Sequence, residues 1–216
     1  MSSSEELSNW VSEQKCQKAV DALGKKGFTG ILCRTRREAL DYIINQAAEA
    51  DSIGFGGSMT IAELNVVSKL EEMGKELLNQ NLPGLSPEER SEILHRHATC
   101  DLYLTATNAL TLTGCLVNID ATGNRVGSMG FGPRKVIVVA GRNKLVADVE
   151  GALKRIKEYA SPANAKRLNY NTPCAKTGFC TDCSSPDRMC RITTILEYKP
   201  RLTDVRVLVV NEDMGL

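Results

Sequence analysis

The run VIVVAG at 136–141 carries no polar residue, and the segment after it, NKLVADVEGALKRIKEYA, has the periodicity of a helix. A strand that is apolar on both faces has to be covered on both faces, and a helix folded back over a parallel sheet provides that cover. The alternation recurs along the chain. TGILCRT (29–35), DSIGF (51–55), KELLNQ (75–80), DLYLTAT (101–107) and VRVLVVNEDMG (205–215) read as strands. RREALDYIINQAAEA follows the first of them as a helix, and GGSMT leads from the second into another that is expected to reach about Glu72. Such alternation means βαβ units, so the expected fold class is α/β with a mainly parallel, Rossmann-like sheet.

Two helix starts are written out in capping boxes. Ser3 stands three residues before Glu6, and Leu7, Trp10, Val11, Val20 and Leu23 then share one helical face that ends at Gly24 or Gly27. In SPEERSEILHRHA, Ser86 is the cap, Pro87 the first turn and Glu89 the closing residue. His95 and His97 fall at the expected exposed end of that helix and receive no catalytic role. The stretch from LTGCLVNID to NRVGSMGFG reads as a β-hairpin turning at DATGN (120–124), and SPANAKRLNYNTP (161–173) reads as a polar linker. The whole, 1–216, is expected to be a single α/β domain, with 173–191 as a cysteine-rich, metal-binding excursion.

Charge narrows the partners. Lys+Arg at 27 against Asp+Glu at 26 leaves a net +1, so there is no basic excess to neutralise phosphates and no nucleic-acid partner is expected. The start, MSSSEELSNWVSEQ, has no apolar core of a secretory signal, and the apolar runs are too short for a membrane span. A cytoplasmic protein with reduced thiols is expected. Cys16, Cys33, Cys100 and Cys115 sit in apolar segments and read as buried small hydrophobes.

IGFGGSMT (53–60) joins a strand to a helix, where open α/β sheets bind ligands. Gly54, Gly56 and Gly57 are expected to turn with positive φ, with Ser58 and Thr60 adding hydroxyls and the helix start aiming amides at an anion. The loop is neither a Walker A sequence nor a full dinucleotide fingerprint. A tight turn that binds nothing is its other reading. TATNALTLTG (105–114), NIDATGNR (118–125) and GRNK (141–144) contribute Asn108, Asp120, Asn124, Arg125, Arg142 and Lys144 to the same expected edge. Asp120 is the first candidate for a general base and Glu63 the second, and the basic residues could balance an anionic ligand, a carboxylate or phosphate. Taken singly, each also reads as a turn former or a surface charge.

PCAKTGFCTDCSSPDRMC (173–190) spaces its thiols as Cys174-x5-Cys180-x2-Cys183-x6-Cys190. Four thiols in a reduced compartment point to a metal site. Structural zinc prefers paired short knuckles, whereas the irons of a cluster are spread more widely and tolerate irregular spacing. The spacing favours a [4Fe–4S] cluster, with Zn as the alternative.

GFGGSMT, DLYLTATNALTLTG, VNIDATGNRV, GP followed by VIVVAGRNK, and PCAKTGFCTDC together resemble the LUD (lactate utilisation) domain family, from about residue 10 onward. The resemblance implies a short, single-domain member with a fold like the ribose-5-phosphate isomerase, glucosamine-6-phosphate deaminase and CoA-transferase group. It also implies a part in oxidising L-lactate to pyruvate beside iron–sulfur partner proteins, and cluster binding by the C-terminal cysteines. It assigns no catalytic residue. The other reading of the residues is a stand-alone isomerase- or transferase-like enzyme acting on a sugar phosphate or related anion, with a structural zinc.

Overall fold

The computed structural model describes residues 3–216. In chain order, α1 (Ser4–Lys25), β1 (Thr29–Cys33), α2 (Arg36–Ala47), β2 (Ser52–Phe55), α3 (Met59–Ala62), α4 (Val66–Glu72) and β3 (Glu76–Leu78) come first. Next are α5 (Pro87–Arg96), β4 (Leu102–Ala106), β5 (Ala109–Thr111), β6 (Leu116–Asp120), α6 (Asn124–Gly130) and β7 (Lys135–Gly141). β8 (Leu145–Val146), α7 (Val149–Arg155), α8 (Ser161–Arg167), α9 (Pro173–Thr177), β9 (Ile192–Leu196) and β10 (Asp204–Val210) complete the chain. The main sheet runs β1-β10-β7-β4-β2-β3 and is parallel throughout. A smaller sheet, β8-β5-β6-β9, carries the chain that leaves β4.

The apolar run in β7 does what its composition requires. Val136, Val138 and Ala140 pack against Cys16, Ala19 and Leu23 of α1 on one face. Ile137 and Val139 pack with Ile43 of α2 and Leu70 of α4 on the other. Each fully buried Val, Ile or Leu among them stabilises the fold by roughly 1.5–3 kcal/mol. Cys16, Cys33, Cys100 and Cys115 are buried as expected. Burial pushes the first three thiols up, Cys16 and Cys100 to about 11 and Cys33 to about 12.

Both capping boxes form, at Ser3/Glu6 and at Ser86/Glu89. Elsewhere the structure departs from the pattern in the sequence. Leu7, Trp10 and Val11 are exposed, and the first residue of α1 to be buried is Cys16. At 1.5 Å per residue a helix of 22 residues is about 33 Å long. The five-residue β1 spans only about 17 Å. The first turns therefore overrun the sheet's carboxyl edge, where Cys16 faces Asn211.

The helix expected after β2 is cut in two at Asn65, which takes a left-handed conformation (φ 50°). The hairpin lies one turn earlier than expected, β5 pairing with β6 around Leu112–Cys115. β6 finds its other antiparallel partner in β9, which the sequence pattern had not marked as a strand. NRVGSMG then has no strand to pair with and coils into α6, burying Val126 and Met129 at i and i+3. The expected linker at 161–173 is largely helical, because α7 continues through a π-helical turn (Ile156–Ala160) into α8. Pro162, which lacks an N–H to donate, stands just after that π-helical turn, where the regular hydrogen-bond pattern is already broken. His97 is buried rather than exposed; its Nε2 lies 2.9 Å from the Leu78 carbonyl, and burial holds its pKa below the ordinary value.

Candidate functional site

All six strands of the main sheet point the same way, so the segments after β2, β4 and β7 emerge at one edge. The chain leaving β2 turns toward β3, while the chain leaving β4 crosses into the smaller sheet. Their divergence opens a crevice of about 280 Å³ at this edge, the position of ligand sites in open α/β sheets. Gly57, Ser58, Thr60 and Asn108 line it, as do Asp120, Asn124, Arg125 and Lys144. Three of the residues expected there are elsewhere. Gly56 lies beneath the crevice, with its amide bonded to the Leu104 carbonyl. Glu63 accepts the Gly215 amide at 2.9 Å and faces a separate depression with Asn143 and Arg155. Arg142 turns away to pair with Asp213 at 3.0 Å.

Gly54 and Gly56 are needed for space rather than for turning. None of Gly54, Gly56 and Gly57 has positive φ. A Cβ at Gly54 would stand 2.9 Å from Tyr103, and one at Gly56 would stand 2.5 Å from Thr105 Oγ1. At Gly57 a Cβ would meet only Gln80 Nε2, at an ordinary 3.7 Å. The amides of Gly57 and Ser58 have no hydrogen-bond partner among the described residues. The Ser58 hydroxyl, by contrast, is spent on capping α3 through the Ile61 amide. α3 is a single turn, so the helix-start field expected of this loop is small, and the free amides are what it offers an anion.

The charged wall is built around Arg125. Its Nη1 donates to Ala106 O and Asn118 Oδ1, and its Nη2 donates to Asn108 Oδ1 and Ile119 O. Its Nε lies 3.4 Å from Asp120 Oδ2. With its donors turned inward, Arg125 fixes Asn108 and Asp120 in place and is no arm for a ligand. Asp120 Oδ1 accepts from the Ala121 amide, and Oδ2 accepts no hydrogen bond. Lys144 is buried, and its Nζ donates to Thr60 Oγ1 at 2.8 Å and to Thr107 O at 3.2 Å. Burial first, then the charges of Arg155 and Arg125, lower its pKa to about 7.

α8 supplies residues that the polar composition of 161–167 had hidden. Ser161, Asn164 and Arg167 line the crevice from above, with Arg167 bonded to Asn164 Oδ1 and to no carboxylate among the described residues. The π-helical turn before Ser161 directs them there, a distortion that apolar periodicity does not reveal.

Cys174, Cys180, Cys183 and Cys190 line one small cavity beside the crevice. Arg188 ties its rim, donating to the carbonyls of Cys183 and Cys190 and pairing with Asp182. The thiols surround this space rather than converge on a point. Among the described residues no three His, Cys, Asp or Glu side chains are placed to hold a single ion. Ser161, Met189 and Cys190 face both spaces and form the wall between them.

Among the described residues no helix is long and apolar enough to cross a membrane. A crystal structure of a DUF162 family protein from Deinococcus radiodurans is similar in fold, with a TM-score of 0.55, 16% identity, and coverage of 92% of this chain and 98% of that chain. No curated protein matches the sequence significantly. The sequence pattern of the LUD domain matches residues 16–210. On the strength of that match, which spans both the crevice and the four thiols, the chain belongs to the LUD (lactate utilisation) domain family.

Proposed function

We propose that the protein binds a small carboxylate, L-lactate or its oxidation product, in the crevice, and a [4Fe–4S] cluster through Cys174, Cys180, Cys183 and Cys190, as one component of an L-lactate oxidising system. The observation that carries this reading is the shared wall: Cys190 lines both spaces. An isomerase with a structural zinc has no need to place a metal thiolate beside its substrate, whereas an electron-transfer reaction does. The donor set fits the group. Four thiolates are the ordinary ligands of such a cluster, and a ring of thiols around a cavity suits several irons better than one zinc with four donors at about 2.3 Å. When bound, the cluster would pass single electrons onward to iron–sulfur partner proteins, while the C2 hydrogen of lactate would leave as hydride to a two-electron acceptor held by another component of the system.

The chain's own residues supply the rest. Free amides at Gly57 and Ser58, with Arg167 at the rim, would hold the carboxylate. Asp120 lines the crevice, and its Oδ2, which pairs with Arg125 Nε at 3.4 Å but accepts no hydrogen bond, would take the proton of the hydroxyl. Two measurements test this. Protein purified without oxygen should contain iron and acid-labile sulfide at about four of each per chain. Lactate or pyruvate at a hundred times its dissociation constant should stabilise the fold by about 2.7 kcal/mol, read as a rise in Tm. Stoichiometric zinc without sulfide, or a rise with ribose 5-phosphate and none with either carboxylate, would move the assignment to the isomerase-like alternative.

A further inference from the structure

Lys144 is an unusual lysine for a ligand crevice. It is 3% exposed, yet no carboxylate lies within ion-pairing distance of it among the described residues. The nearest candidate, Glu63, is occupied by the Gly215 amide. Its two hydrogen-bond partners are uncharged acceptors. Thr60 Oγ1 directs its own proton toward the Met214 carbonyl at 3.5 Å and so can accept, and Thr107 O has no other role. A neutral amine has two hydrogens, and these acceptors take both. The lone pair is then what the crevice is offered. Burial and the neighbouring guanidinium groups of Arg155 and Arg125 favour that neutral form, with Glu63 acting weakly against it. A desolvated lysine beside other cations is how an amine becomes a nucleophile near neutral pH.

We propose that Lys144 is a covalent carbonyl-binding residue, forming a reversible imine with the keto carbon of a 2-oxo acid held in the crevice. The step balances without a co-reactant. The Nζ–C bond forms as the carbonyl adds, and the two protons that the amine gives up leave with the carbonyl oxygen as water. The imine can be protonated to the iminium while the carboxylate stays on the Gly57 and Ser58 amides. The 2-oxo acid is the product side of the proposed lactate chemistry, so this inference rests on the crevice taking a small carboxylate.

The test is reductive trapping on the wild-type protein, which avoids any question of a variant's folding. Pyruvate and borohydride should leave one peptide, containing Lys144, heavier by the mass of the oxo acid less one oxygen atom. Lactate, which has no carbonyl, should leave none. Yield at Lys144 should rise through pH about 7, whereas ordinary surface lysines should label only near their usual, much higher pKa. Lys144→Arg should lose the adduct, and Thr60→Val should reduce its yield several-fold by freeing the amine to turn. A Tm rise with pyruvate but no adduct, or adducts spread evenly over surface lysines, overturns the imine and leaves the carboxylate site standing. No adduct and no Tm rise with either carboxylate overturns both.

Discussion

Arg125 and Lys144 both entered as countercharges for an anion, and the structure gives them different work. Their sequence contexts could not separate them, because what differs is which neighbours the fold brings up. Arg125 is surrounded by carbonyl and amide oxygens from β4, β6 and the turn between them, so its donors are consumed. Replacing it with Ala should cost about 3–5 kcal/mol without any ligand present, since Asp120 loses its buried partner. A denaturant titration checks this; a loss under 1 kcal/mol would mean that the wall does not depend on it. Lys144 should show itself through pH. Below about 7 folded and unfolded chains both hold its proton, and the full cost of burying the charge applies. Between about 7 and the ordinary 10.5 the unfolded chain holds a proton that the folded chain lacks, so stability rises with pH across that window. Lys144→Met should therefore exceed wild type in stability most at pH 6, with the gap closing toward pH 10. A gap that is flat with pH would show that the lysine is not buried as a charge. Asp120 and Asn108, by contrast, were legible as crevice residues, because a small polar side chain straight after a buried strand has few other places to go.

Among the elements, those with chemical punctuation were readable and those shaped by distant partners were not. Ser86, Pro87 and Glu89 mark the start of α5 to the residue. The fate of NRVGSMG was decided by β9, some seventy positions away, which took the edge of β6 that a local hairpin would have used. The glycine loop was found for a partly mistaken reason: none of its glycines is twisted, and Gly54 and Gly56 are packed against Tyr103 and Thr105. Their substitutions should divide accordingly. Gly56→Ala should destabilise strongly, by about 2–4 kcal/mol, because Thr105 sits in the β4 backbone layer and cannot retreat. Gly57→Val should fold normally and lose the carboxylate-induced Tm rise, its side chain standing beside Gln80 at the crevice. If Gly57→Val keeps the rise undiminished, the loop is a turn and nothing more. The thiol segment behaves as a neighbour of the crevice rather than an independent appendage. Cys190→Ala should alter carboxylate affinity, whereas Cys180→Ala, which lies away from the common wall, should leave it unchanged in the metal-free protein.

At the scale of the whole molecule, strand and helix alternation was enough to predict a parallel α/β sheet, but not the order of its strands. A strand buried on both faces, such as β7 or β10, has no polar side to specify its neighbours, so its place is chosen by the helices that cover it and by the lengths of the connections. The order that results has β10 inserted between β1 and β7, pairing with both along its length. During synthesis this creates a wait. β1 is complete at Cys33, yet its neighbour in the sheet, β10, begins at Asp204. At cellular elongation rates that interval is on the order of ten seconds. Through it α1 has only half a surface to lie on, and the exposed row formed by Leu7, Trp10 and Val11 is present from the outset. The unfinished chain would therefore leave β1 and the inner face of α1 uncovered, and a ribosome stalled before residue 204 should hold a segment that proteases cut in α1 and β1 first.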